Sequence, residues 1–354
     1  MAPQQILVPH DVLRRFVSDI FVKAGSAPRE AQLVAEQLVE ANLAGHDSHG
    51  VGSIPEYIRN VRAGGLPLNQ ALSVVLEAGP LLVCDGNGGL GQVMGHDAMA
   101  GAIRVAERQG ACILGLRNSH HLGRIGHWAT QCAAAGLVSI HFVNVISAPR
   151  VAPFGGTAAR IGTNPFAVGI PRHGERPILI DFATSKFAVG KVRVAMNAGK
   201  ALPEGVLLTP DGQPTTDPAY LFGSPRGVLL PFGEHKGWGL GLACELLGAA
   251  LTGGKTQTGP KSREAVINSM LSIIVSPERL GTQDSYFAEI ARFTAWARSG
   301  ENRDVLLPGD VEAATRAERV AGGVPIDAKS WSDIVAAAAD VGAAPPAGLD
   351  GGRP

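Results

Sequence analysis

The chain has 354 residues, enough to bury large cores and, at ordinary domain sizes, to form two domains. Lysine plus arginine equals aspartate plus glutamate at 31 each, so there is no charge excess of the kind that marks nucleic-acid or acidic-membrane binders. Cys84, Cys112, Cys132 and Cys244 lie far apart without a CxxC, which argues against a disulfide scaffold or a thiolate metal site and fits a reducing compartment.

No apolar run approaches a clean membrane span and the N-terminus has no long apolar signal core, so a soluble cytoplasmic protein is expected. Val12, Leu13, Phe16, Val17, Ile20 and Phe21 recur at helical spacing, and Gly25 stops that element. Pro28 opens a second helix with Leu33, Val34, Leu38 and Leu43 inward, ending near Gly45. After Pro67 the pattern turns to short strands, Leu72 to Glu77 and Leu81 to Cys84, then the run GNGGLG and a helix from Gln92 to Gln109.

Gly86, Gly88 and Gly91 match GxGxxG literally. A Rossmann site also needs an acidic residue at the end of the next strand to hold the ribose. Here that strand, Ala111 to Leu116, runs into Arg117 and Asn118, so packing and turn geometry are the preferred explanation. The chain then reads NSHHLGRIGHWA: two adjacent histidines at a strand end, with Gly123, Arg124 and Gly126 leading into a helix that stops near Gly136. Proton donors, a cation and free backbone N–H groups in one place suit an oxyanion or a dinucleotide phosphate. A surface histidine pair in a structural turn is the plainer reading.

Leu137 to Val143, Ala167 to Ile170 and Ile178 to Ile180 fit strands of a mixed or parallel sheet. Pro203 to Gly233 reads mostly as loop, and HKGWGLGLACELLGAALTGG as one buried helix, against the protein's own core or another subunit. Ser272 to Val275 is a strand, Tyr286 to Trp296 a helix, and a further helix follows PGD. The terminal AAPPAGLDGG is expected to fray.

Several short constellations offer chemistry. Asp47-Ser48-His49-Gly50 follows a helix end, where His49 is suited to proton exchange and Ser48 to orienting it. A capping turn would use the same residues. Asn144 and Gly162-Thr163-Asn164-Pro165 supply amides and a hydroxyl, either to grip a carboxylate or to form an Asx turn. Asp181 ends an apolar strand, a costly place for a carboxylate unless it is paired or useful. Glu234-His235-Lys236-Gly237 opens a helix whose N–H groups suit phosphate. No HExxH or thiolate cluster points to a metal.

GHDSHG, RNSHHLGRIGHWA, GTNPF, DFATS, EHKG and LLPGD, in this order, resemble the type-2 malate/L-lactate dehydrogenase family, most nearly its hydroxycarboxylate dehydrogenase B branch. The resemblance runs from about Val12 to Val341. It implies an α/β fold: a mixed sheet with a non-Rossmann NAD(P)-binding site, plus a helical domain built largely from the N-terminus. The expected division is a helical part over 1–70, joined by C-terminal helices in 310–345, and an α/β cofactor- and substrate-binding region over 71–309. NAD or NADP as cofactor, a small 2-oxo or 2-hydroxy acid as substrate, and a homodimer are implied as well.

By motif position, cofactor contacts would fall on His49, Gly123, Arg124, Ile125, Leu179, Ile180, Asp181, Phe182, Ala183, His235, Asn268, Gly309, Asp310, Val311 and Glu312. The catalytic residues would be His49 or His121, with Ser48 and Asp181 as relay. Several members carry an arginine four residues after the motif histidine to clasp the substrate carboxylate. This chain has Ser53 there, which leaves Arg59, Arg124, Lys186 or a partner's cation to do so. A bulky or aromatic 2-oxo acid is therefore the expected substrate. Malate or lactate, ureidoglycolate, sulfolactate, a cyclic imino acid, or a non-catalytic nucleotide- or sugar-binding role are the alternatives.

Overall fold

The structure is a computed structural model that describes residues 5–197, 199–258 and 265–349. Strand β1 (Gln5–Val8) leads into α1 (His10–Lys23), which turns Leu13, Phe16, Val17, Ile20 and Phe21 to one buried stripe. Gly25, with φ +107°, takes the chain out of that helix in a conformation that disfavours a side chain. Helix α2 (Pro28–Leu43) has proline in its first turn, where the missing N–H costs nothing. Helix α3 (Ile54–Arg62) buries Ile54, Tyr57 and Ile58.

The central sheet contains β2 (Ser73–Ala78), β3 (Leu81–Asp85), β4 (Ala111–Ser119), β5 (Val138–Ile146), β6 (Pro165–Arg172), β7 (Glu175–Ala183) and β11 (Ile267–Val275). Their order is β2-β3-β4-β11-β5-β6-β7. Only β3 and β4 pair in parallel, joined by the crossover helix α4 (Gly91–Gln109); the other pairs are antiparallel. The sheet is mixed, as the sequence led one to expect. Helix α4 and α5 (Gly126–Ala134) share a core with β4 and β11 that contains Met99, Leu114, Trp128 and Met270. Gly95 lets them meet, since a Cβ there would lie 2.4 Å from the Trp128 ring.

Between β7 and the next long helix, α6 (Val189–Asn197) and three two-residue strands, β8 (Leu207–Leu208), β9 (Pro214–Thr215) and β10 (Val228–Leu229), gather around Val151, Ile161, Val192 and Leu221. Pro203 to Gly233 is mostly loop, as expected, and the buried Leu207 and Leu229 pin its turns. Helix α7 (His235–Glu245) departs from expectation. It widens into a π-helical turn over Leu246–Ala250, and Leu242, Leu246 and Leu251 are 39, 47 and 66% exposed in the single chain.

Helices α8 (Gln283–Ala297), α9 (Asp310–Gly322) and α10 (Ala328–Ala339) complete the chain with β12 (Val324–Asp327). Strand β12 pairs antiparallel with β1, and Trp331 packs on Phe16 with ring centroids 5.7 Å apart. One core therefore joins Val8, Leu13, Leu38 and Ile58 to Val324, Trp331 and Ile334. The expected fraying of the terminal run is corrected over its first part. Ala343 is buried, and the Trp331 indole donates to the Leu349 carbonyl at 2.9 Å. The rest of that run, 350–352, lies outside the described residues.

Candidate active site

The GHDSHG segment forms two 3-10 turns, Asp47–His49 and Val51–Ser53, between α2 and α3. Asn42 ties them down: its Nδ2 donates to Asp47 Oδ1 at 2.7 Å and its Oδ1 accepts from Val51 N at 2.8 Å. Gly50 is required beside it, because a Cβ would fall 2.0 Å from Asn42 Oδ1. Arg319 of α9 clamps the Asp47 carboxylate at 2.6 and 3.1 Å. Asp47 thus holds the turn, while Ser48 Oγ, at 3.0 Å, is the hydroxyl that meets His49 Nδ1.

Strand β4 carries the chain to His120 and His121 from the other side. The three glycines explain themselves here. Gly86 N and Gly88 N donate to the Arg117 and Asn118 carbonyls, and a Cβ on Gly91 would lie 2.1 Å from the His121 carbonyl. They allow close packing against the histidine loop and do not cradle a phosphate. His121 stacks on His49 with ring centroids 5.8 Å apart and planes 22° apart. Tyr57 Oη lies 2.6 Å from His121 Nδ1 and accepts from Gln92 Nε2 at 3.0 Å, while Asn60 Nδ2 is 3.5 Å from His120 Nε2.

Tyr57, Asn60 and Gln92 were not singled out from sequence. The available signal was Tyr57 and Asn60 three apart, hence on one face of a short helix that also buries apolar residues.

Burial is the main force on both histidines. It pushes His49 down to about 4, with Asp181 opposing it and His46 and Arg124 acting the same way as burial. His121 is held well below the ordinary imidazole range, again by burial first and then by His49 and His120. Both shifts favour the neutral imidazole at neutral pH.

A second cluster adjoins the pair. Asp181 on β7 accepts from Gly126 N, the start of α5, at 2.8 Å, and its Oδ2 is 3.6 Å from Arg124 Nε. Arg124 is buried, and that Nε has no hydrogen-bond partner. No hydrogen bond joins Asp181 to His49 among the described residues; its influence there is through space. Glu312 meets His46 Nε2 at 3.4 Å, and this bond holds its carboxyl below the usual range. Gly309, at φ +99°, brings the LLPGD loop onto β7, where Leu179 N donates to Pro308 O at 3.0 Å. Ile180, Phe182 and Ala183 line the same edge strand. Gly123 and Ile125 flank Arg124, while Asp310 accepts from Leu307 N at 2.8 Å and Val311 is exposed.

Other candidates are placed differently. Asn268 is buried beneath the loop, accepting from Leu122 N at 2.8 Å and donating to Asn144 O at 2.9 Å. Asn144 and Asn164 are likewise committed to partners within the protein. His235 sits exposed at the start of α7 beside Phe154, with no contact to the histidine pair among the described residues. Pockets of about 400 and 720 Å³ beside Phe287 and Asp97 do not touch the pair. No metal-holding group of side chains occurs among the described residues, and no helix there is long and apolar enough to cross a membrane.

A stacked histidine pair lies beside a buried arginine–aspartate pair, outside any Rossmann loop. The family model described as malate/L-lactate dehydrogenase matches residues 8–335. The chain belongs to the malate/L-lactate dehydrogenase family. This membership makes it an oxidoreductase. It is 48% identical over 336 residues to hydroxycarboxylate dehydrogenase B of Escherichia coli, covering 93% of both chains. It is 40% identical to an L-lactate dehydrogenase of Cupriavidus necator, covering 86% of this chain and 89% of that one. A solved E. coli structure described as a putative malate/lactate dehydrogenase superposes with a TM-score of 0.92 at 46% identity over 97% of both chains.

Proposed function

We propose that this dehydrogenase interconverts 2-hydroxycarboxylates and 2-oxocarboxylates with NAD or NADP. The observation that carries the reading is the stacked His49–His121 pair, two neutral imidazoles in protein-enclosed surroundings. The residues present fit a dinucleotide: the buried Nε of Arg124 faces Asp181 at 3.6 Å but makes no hydrogen bond, so it has a donor to offer an oxygen acceptor, and β7 offers an edge strand beside it. Gly123, Arg124, Ile125, Leu179 to Ala183 and Gly309 to Glu312 would hold it, with His49 at its reactive end. Asn268 would act from below, and His235 from the start of α7. When bound, a nicotinamide supplies or accepts the hydride.

The protein's own residues handle the proton. In oxidation, neutral His49 or His121 accepts the hydroxyl proton, with Ser48 and Tyr57 fixing the respective ring orientations. In reduction the same nitrogen must first be protonated, and the charge of an arriving carboxylate substrate raises its proton affinity. Asp181 acts by orienting Arg124 and by its charge.

A bulky or aromatic substrate is part of this reading, supported by the short Ser53 side chain beside the catalytic turn. So are a helical unit of 1–70 with 310–345 and an α/β unit of 71–309, supported by the shared core of α1 and α10. Pairing of two copies is supported by the exposed Leu242, Leu246 and Leu251, and a cytoplasmic setting by four buried thiols pushed up to about 11 or 12.

The deciding experiment follows nicotinamide absorbance with NADH and NADPH against a panel of 2-oxo acids. Consumption above a substrate-free control supports the proposal; cofactor binding without consumption of any panel member overturns it. Sedimentation as a monomer at micromolar concentration would overturn the pairing.

A further inference from the structure

We infer that Arg150, Arg193 and Arg226 form the subsite that receives the substrate carboxylate, in place of the arginine this chain lacks at Ser53. The inference rests on the proposed reaction and names the cation it needs.

The cations considered from sequence are engaged or misplaced. Arg124 lies against Asp181, and Lys186 Nζ reaches the Glu204 carbonyl at 3.5 Å. Arg59 is exposed, two positions from Tyr57 and so on the opposite side of α3.

Three other arginines gather beside the helix that docks on the catalytic turn. Helix α6 docks against that turn at Gly190, where a Cβ would fall 2.2 Å from Ser48 Cβ. Arg193 stands one turn further along α6, on the same side. Its guanidinium carbon lies 5.0 Å from the centroid of the Phe222 ring. Arg150 Nη1 donates to the Leu221 carbonyl at 3.1 Å, so both cations meet at adjacent residues and Arg226 follows four positions later. Arg150 is half-buried; burial lowers its proton affinity first, and Arg226 and Arg193 add to that.

The acid that pulls the other way on Arg150 is Glu56, three residues after Ser53 and therefore on the Ser53 face of α3. Ser53 itself makes no capping bond. None of the three arginines has an ion-pair partner among the described residues. Like charges gathered without a direct ion pair repel one another, and an anion between them removes that repulsion. Arg150, with one donor spent on Leu221, keeps others for a carboxylate.

The test uses steady-state kinetics on pyruvate and phenylpyruvate, with cofactor affinity measured separately by fluorescence. Arg150→Gln should raise KM about 10- to 100-fold for both acids, the loss of a charge-assisted bond, with cofactor affinity unchanged. Arg150→Lys should recover part of it, and Arg193→Gln and Arg226→Gln should have smaller effects. Unchanged KM overturns the inference, as does weakened cofactor affinity without a KM effect, which would assign the group to a cofactor phosphate. If Arg150→Gln does not fold, the double variant of the exposed Arg193 and Arg226 carries the same expectation. Calorimetric binding of oxamate to the wild type and the variants reads the subsite without turnover. Failure of the wild type on every 2-oxo acid would therefore count against the reaction alone, and equal oxamate binding by all proteins against the subsite.

Discussion

The phenol oxygen of Tyr57 stands 2.6 Å from Nδ1 of His121 and receives the Gln92 amide at 3.0 Å. To act as a base His121 keeps Nε2 free for the substrate, so its ring proton sits on Nδ1 and is donated to the phenol oxygen, which also accepts from Gln92. Burial keeps the phenol protonated by raising its pKa. Tyr57→Phe should keep the edge contacts with Phe21 and His120 but lose this orientation. We expect kcat to fall about 10-fold, the worth of roughly one hydrogen bond, with cofactor affinity unchanged. Stopped-flow and steady-state rates check it; an unaltered kcat and pH profile would show that the bond does not orient the base.

The low proton affinity of His49 has a signed consequence. Its folded pKa, about 4, lies below the ordinary imidazole value, so the base form persists as pH falls until that value is approached. The kcat/KM for a hydroxy acid should stay level down to about pH 5 and then decline, whereas 2-oxo acid reduction should quicken towards acid. A limb near pH 6.5 in the oxidative profile would count against His49 and His121 as the titrating base. His49→Ala and His121→Ala should each cut turnover by about 10² or more, with circular dichroism unchanged.

Asp181 is expected to matter for stability as well as rate. Removing it leaves the buried Arg124 guanidinium without its counter-charge and the Gly126 N–H without its acceptor. Asp181→Ala should destabilise by about 3–5 kcal/mol in denaturant titration. Asp181→Asn, which retains an acceptor oxygen, should cost less. Equal losses would mean that the hydrogen bond is irrelevant.

Ser53→Arg would place a fourth cation by the arginine group. Alone it should lower kcat/KM for all 2-oxo acids by repulsion. Combined with Arg150→Gln it should recover activity, with small acids gaining over aromatic ones because the long side chain crowds a ring. Kinetics on pyruvate and phenylpyruvate decide. Additive effects of the two changes would place Ser53 outside the pocket.

Periodic apolar residues made α1, α2 and most sheet strands legible, because burial of one face is written locally in the spacing. Strand order was not. Ile267–Val275 inserts between β4 and β5 by pairing that apolar composition does not specify. Helix α6, VGKVRVAMN, carries three valines and a glycine, poor helix formers that tertiary packing on Ser48 and around Val192 overrides. His49, His121 and Arg124 stood out by chemistry. Tyr57 and Arg150 did not, since a lone tyrosine or arginine acquires its meaning only from neighbours distant in sequence.

The pairing of β1 with β12 and the grip of Arg319 on Asp47 bear on how the protein is made. During synthesis the first helices leave the ribosome long before Val324 to Ala343 exist to cover them. Leu13, Phe16 and Ile20 therefore wait with part of their apolar surface unsheltered, and the His49 turn waits for its clamp. The N-terminal helices and the His49 turn are thus completed only when almost the whole chain has been translated.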